Sequence, residues 1–346
     1  MFADQTVRLV VHTHAGGKAV RLRLSNTFGD RPLSFGRVTV GLSAGGGGVI
    51  APHNVTFADH SQVTVPKGQE VVSDPVALTV KAEADLAVSV YLPTETGPAT
   101  YHRSAHQTNY VSAAGDHTTD LTAADFPTTV GSWFFLDSVS VSDSPDVGTV
   151  VALGDSITDG SGSSGANHRW PDYLAARVAD RPESVVDVGI AGNKVLMDDP
   201  LAGQSALNRL ERDVLSQPGL RTVIVLEGIN DLRSTTPPAT ADQIIGGYRK
   251  IIDRVHARGA RILGATITPV KGSARYDDNM ERARQAVNTW IRTSHAFNGV
   301  VDFAAATQDP GDPLRLLPAY DSGDHLHLNN AGYQAMADSV DLRQLR

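Results

Sequence analysis

Cysteine is absent from the 346-residue chain, which excludes disulfides, thiolate metal sites and a thiol nucleophile together. Basic charge is in deficit. Lys and Arg number 30 against 38 Asp and Glu, a formal net charge of -8, so no positive field exists to hold nucleic acid or an anionic lipid surface. No run of 18 apolar residues occurs, which argues against membrane insertion. The opening residues, Met1-Phe2-Ala3-Asp4-Gln5-Thr6-Val7-Arg8, have neither the basic start nor the apolar stretch of a signal peptide. The chain therefore reads as cytoplasmic, or as the mature form of an exported protein. Low-complexity sequence is confined to Gly45 to Gly48, which reads as a flexible hairpin loop and not as a phosphate cradle.

What is present is ordinary globular composition, 41% hydrophobic and 20% charged, in a chain long enough for two domains. In the first half, short alternating β-branched runs at residues 6–11, 19–24, 38–42, 62–65, 76–80, 86–92 and 139–141 are separated by turn residues. No amphipathic helix interrupts them, so residues 1–143 are expected to form an antiparallel, jelly-roll-like β-sandwich domain. The polar stretch Ser142-Asp143-Ser144-Pro145-Asp146 is the expected linker. Beyond it, apolar runs at 148–153, 185–189, 222–226, 261–266 and 300–303 alternate with helical patterns at 171–178, 206–215, 241–258, 279–295 and 330–340. Five βα units in succession predict that residues 144–346 are a three-layer α/β/α domain on a five-stranded parallel sheet. In such sheets ligands bind at the carboxyl ends of the strands.

Three blocks fall just after predicted strands: Gly154-Asp155-Ser156, Gly189-Ile190-Ala191-Gly192-Asn193 and Glu227-Gly228-Ile229-Asn230-Asp231. A fourth, Asp321-Ser322-Gly323-Asp324-His325-Leu326-His327, lies near the C-terminus. Alone, Gly154-Asp155-Ser156 reads as a strand-to-loop turn whose side chains bond their own backbone. Together the four supply a hydroxyl, a glycine amide, a carboxamide, a carboxylate and an imidazole, the inventory that acyl transfer needs.

These blocks resemble the SGNH, or GDSL-type, hydrolase superfamily, whose marks are Ser in Gly-Asp-Ser, a Gly, Asn in Gly-x-Asn-Asp and His in Asp-x-x-His. They map in order to Ser156, Gly192, Asn230 and His327, with Asp324 selected by the last spacing. The resemblance covers roughly residues 146–346. It implies a flavodoxin-like domain with Ser156, Asp324 and His327 as catalytic residues, and with Ser156, Gly192 and Asn230 as oxyanion donors. The implied activity is carboxylic ester hydrolysis through an acyl-enzyme, on short acyl groups or acetylated carbohydrate, with no cofactor. A phospholipase or thioesterase of the same superfamily is the alternative, as is a polysaccharide-binding protein with a degenerate hydrolase domain. A β domain before such a hydrolase is similar to actinobacterial secreted GDSL esterases, which implies export.

Further residues are read more modestly. Asp155 and Asp231 are expected to brace the site loops, while Trp170 and Tyr320 are candidates for supporting or lining it, with Tyr276 beside them. Gly160-Ser161-Gly162-Ser163-Ser164-Gly165 spells a dinucleotide fingerprint with Asp187 as its ribose acid, but it does not follow its strand directly. His325 and His327 form a His-x-His beside Asp324, yet a base must stay free of metal, so no catalytic metal is expected. His102 and His106 are read as core or solvated.

Overall fold

β-Branched segments with period-two burial pair into antiparallel sheets in the first half of the chain. In Ala19–Ser25 the side chains of Val20, Leu22 and Leu24 turn inward while Arg21 faces solvent. The computed structural model describes residues 1–142, 147–233 and 236–346, so most of the expected linker Ser142 to Asp146 lies outside the described residues. The chain divides into two units, Met1–Pro145 and Asp146–Arg346. Among the described residues no helix is long and apolar enough to cross a membrane.

The first unit holds a six-stranded antiparallel sheet, ordered Thr128–Val130, Asn109–Ala114, Gln5–Thr13, Ala84–Leu92, Arg37–Gly45, Gly48–Asn54. A three-stranded sheet of Leu136–Ser142, Ala19–Ser25 and Glu70–Val72 shares its core. Val7, Leu9, Val38, Val40, Val88 and Val90 from the larger sheet meet Val20, Leu22 and Leu24 from the smaller in one apolar cluster. The glycine run forms the tip of the hairpin joining Arg37–Gly45 to Gly48–Asn54, with Gly46 and Gly47 at positive φ. The strand expected at 76–80 is a departure. Val76 bridges Val20 and Val80 bridges Gly17, but the residues between them join no ladder, so apolar alternation there marks burial without pairing.

The second unit is a parallel sheet of Gly148–Gly154, Glu183–Asp187, Leu220–Leu226, Arg261–Ala265 and Gly299–Val301. In chain order these run second, first, third, fourth, fifth, the flavodoxin-like arrangement. Alternation along the first strand explains why it reads as continuously apolar. Val151 and Leu153 enter a core with the helices Ala241–Ala257 and Asp278–Thr293, while Val150 and Ala152 enter another with Trp170–Val178 and Asn330–Ser339. The helix expected at 206–215 is α-helical only over Ala206–Arg209 and continues as a π-helical turn, Leu210–Leu215. Because the second strand lies on one side of the first and the third on the other, the strand order reverses there. In sheets of this order, ligands bind outside the carboxyl ends of the strands at that point.

Candidate active site

Gly154 ends the first strand, and a Cβ there would sit 2.0 Å from Thr158 Oγ1, so only glycine lets the chain turn this tightly. Asp155 then caps the short helix Ser156–Asp159, its Oδ1 accepting the Ile157 N–H at 3.0 Å. Ser156 is thereby held at the first turn, only 7% exposed as a residue. Its Oγ lies 2.8 Å from His327 Nε2, and His327 Nδ1 lies 2.6 Å from Asp324 Oδ2. The four blocks expected to cooperate are thus joined at their first and last members.

The carboxylate is well fixed. Burial alone would raise the Asp324 carboxyl, but the backbone N–H of His327, the His327 ring and the backbone N–H of Leu326 all donate to it and bring it down to about 2. Asp324 therefore carries its charge at neutral pH and accepts the Nδ1 proton of His327, leaving Nε2 to accept from the Ser156 hydroxyl. His325, its neighbour, takes a different partner. Its Nδ1 meets Asp321 Oδ2 at 2.5 Å, and neither histidine belongs to a convergent metal-donor group among the described residues.

The middle blocks are tied to the same turn. Gly192 has φ +82, a left-handed conformation that glycine adopts without strain. The backbone N–H groups of Ser156 and Gly192 donate to no acceptor among the described residues. Asn230 spends one amide N–H on the Asn193 carbonyl at 3.0 Å, and a carboxamide has two. Asp231 accepts from Val195 N and Leu196 N at 2.8 and 3.0 Å, and Asp159 Oδ2 accepts from Ala191 N at 3.0 Å. These carboxylates brace the loop carrying Gly192 from both ends.

Trp170 does not line a surface. It is wholly buried against Phe303, with ring centroids 5.2 Å apart, and its Nε1 donates to Thr158 Oγ1, so it supports the Ser156 helix from beneath. Tyr320 is partly buried against the same core, and its carbonyl accepts from Asn329 N at 2.9 Å. Gly160, the first of the fingerprint glycines, closes the Ser156 helix by donating to the Ser156 carbonyl at 3.0 Å. Asp187 Oδ1 accepts from Gly189 N at 2.8 Å, and its Oδ2 lies 3.6 Å from Arg169 Nε.

Sequence reasoning missed Arg209. Fully buried, it donates from Nε to Asn193 Oδ1 at 2.9 Å, from Nη1 to the Val188 carbonyl at 2.6 Å and from Nη2 to the Gly154 carbonyl at 3.1 Å. One guanidinium thus ties the first two blocks, and it also lies 3.7 Å from Glu227 of the third. A signal was available: Arg209 shares a face with Ala206 and Leu210, and a cation in an apolar stripe needs acceptors. Burial pushes the Glu227 carboxyl well above its ordinary range, as do Asp155 and Asp231 nearby, with Arg209 opposing. Burial also raises Asp231 to about 6.

A serine hydroxyl, an imidazole and an ionised carboxylate in hydrogen-bonded sequence, beside undirected backbone N–H groups, is equipment for acyl transfer. The profile of the GDSL-like Lipase/Acylhydrolase family matches residues 152–335, more than half of the chain. The chain belongs to this family. Membership in the GDSL-like acylhydrolases makes ester-bond hydrolysis its class of reaction. No curated protein matches the chain significantly. Solved structures similar to this GDSL-like chain include an aryl esterase of M. smegmatis, with 15% identity, TM-score 0.47, and coverage of 58% of this chain and 100% of that one. A carbohydrate acetylesterase from Sinorhizobium meliloti has 18% identity and TM-score 0.44, covering 55% and 94%. A variant of a Geobacillus acetyl-xylooligosaccharide esterase has 23% identity and TM-score 0.44, covering 58% and 96%.

Proposed function

We propose that the chain is a serine esterase that hydrolyses carboxylic esters of short acyl groups through an acyl-enzyme, with Ser156 as nucleophile. The observation that carries this reading is the unbroken relay of Ser156 Oγ, His327 and Asp324 at 2.8 and 2.6 Å. His327 Nε2 takes the hydroxyl proton as Oγ attacks the ester carbonyl carbon. Asp324 holds the ring in the Nδ1–H tautomer and stabilises the imidazolium that forms. The carbonyl oxygen becomes an oxyanion, received by the N–H groups of Ser156 and Gly192 and by the free amide N–H of Asn230. Collapse breaks the bond to the alcohol, which leaves with the proton from His327. Water, deprotonated by the same ring, then attacks the acyl-enzyme and releases the acid.

The reading assigns the chemistry to residues 144–346 and an accessory role to residues 1–143. The β-rich first half and the absence of an amphipathic lid pattern favour small or carbohydrate-linked acyl esters over long-chain lipid. The test is Ser156→Ala on a panel running from aryl acetates to acetylated xylan. Turnover should fall roughly 10³-fold or more with the fold retained, because the relay acts as a unit. Near-normal hydrolysis by that variant would remove Ser156 from the mechanism.

A further inference from the structure

The first unit carries a second set of convergent donors. His12 and His14 stand two residues apart at the end of strand Gln5–Thr13, their ring centroids 5.3 Å apart. The antiparallel register sets His12 opposite Asp85 on Ala84–Leu92 and brings Glu83, the residue before that strand, alongside. His12 Nδ1 meets Asp85 Oδ1 at 2.7 Å, and His12 Nε2 meets Glu83 Oε2 at 3.1 Å. One imidazole nitrogen from each histidine and a Glu83 carboxylate oxygen all lie within 4.8 Å of one another.

Two imidazoles and a carboxylate are a zinc donor set, and a liganding histidine characteristically gives its other ring N–H to a carboxylate. Asp85 occupies that position. Tetrahedral zinc at about 2.0–2.1 Å from each donor places the donor atoms roughly 3.4 Å apart. His12 Nε2 and Glu83 Oε2 already stand near that separation, and Glu83 is the exposed member, free to adjust its rotamer. Imidazole nitrogen also selects zinc over magnesium or calcium. A second convergent group, His117 with Asp120 and Asp125, is a poorer host. There the buried Arg8 guanidinium donates to the Asp120 and His117 carbonyls at 2.7 and 3.2 Å, which puts a fixed cation beside the donors.

We propose that His12, His14 and Glu83 form a zinc site, with Asp85 orienting His12 and solvent filling the fourth position. The metal clips the end of strand Gln5–Thr13 to the turn that precedes Ala84–Leu92.

The experiment is calorimetric titration of the chelator-stripped full chain with zinc chloride on wild type, His14→Ala and Glu83→Gln. The expected result is one saturable zinc per chain. Each variant should bind zinc at least about tenfold more weakly, since each removes one of the three protein ligands, while keeping the wild-type circular dichroism. Glu83→Gln changes an exposed side chain, so it serves if His14→Ala fails to fold. A wild type that takes up no stoichiometric zinc overturns the proposal, as does stoichiometric zinc whose affinity either folded variant retains.

Discussion

Arg209→Lys isolates the geometric work of the guanidinium, because it keeps the charge beside Asp213 and Glu227 while removing the planar fork. In the native chain that fork donates to Asn193 Oδ1 at 2.9 Å, to the Val188 carbonyl at 2.6 Å and to the Gly154 carbonyl at 3.1 Å, the last of which also accepts from Ile190 N at 3.0 Å. A single ammonium on a flexible stem does not serve both Asn193 Oδ1 and the Val188 carbonyl, which leaves one buried acceptor without a donor. An unsatisfied buried group costs about 1–3 kcal/mol, a sizeable part of the 5–15 kcal/mol typical of a folded domain. Activity should fall as well. Gly154 and Asn193 flank Ser156 and Gly192 in the chain, and a displacement of about 1 Å at such a site can cost roughly 10²-fold in rate. Urea unfolding followed by circular dichroism, with kcat for p-nitrophenyl acetate measured below the transition, reads both effects. A loss under about 1 kcal/mol together with turnover within about twofold of wild type would refute the reasoning.

Other substitutions test single links. Asn230→Ala should lower kcat by roughly 10²- to 10³-fold through loss of one oxyanion donor, and an unchanged rate would make Asn230 purely structural. Asp324→Asn should cost roughly 10³- to 10⁴-fold by favouring the wrong His327 tautomer, and steady-state kinetics measures it. Gly192→Ala should destabilise by about 1–2 kcal/mol, since φ +82 strains any side chain, and its thermal midpoint should drop accordingly. Glu227→Gln tests the buried acid. The folded-state value of Glu227 lies above that of the unfolded chain, so its contribution is complete below about pH 4 and is lost as the pH rises. The variant should therefore lose less stability than wild type between pH 5 and pH 8, and identical urea midpoints across that range would count against a strained carboxyl.

Much of the second unit was legible in the sequence because its physics is local. Five apolar runs spaced by helical patterns specify a parallel sheet, since strands buried on both faces lack alternation and right-handed crossovers allow few arrangements. Ser156, Gly192, Asn230, Asp324 and His327 were nominated by the resemblance of four short blocks to a family, and of these the structure joins Ser156, His327 and Asp324 by hydrogen bonds. Boundaries were less legible, as the unpaired segment between Val76 and Val80 illustrates, because alternation reports burial and a ladder also needs a partner in register. Arg209 could have been flagged as a cation in an apolar stripe, but its tie to the site blocks was not legible, because it is made to two main-chain carbonyls and an amide oxygen and carbonyls carry no residue-type signal. Of the two roles read for Trp170, supporting or lining, burial against Phe303 fits the support. The pairing of His12 and His14 with Glu83 and Asp85 likewise rests on antiparallel register across some seventy residues of chain. The sequence by itself determined the layers of the second unit through periodicity, and its four short blocks named the candidate site residues by resemblance to a family. Only the tertiary structure decided which backbone groups and distant charges hold them, because contacts between remote segments are set by how the sheets assemble.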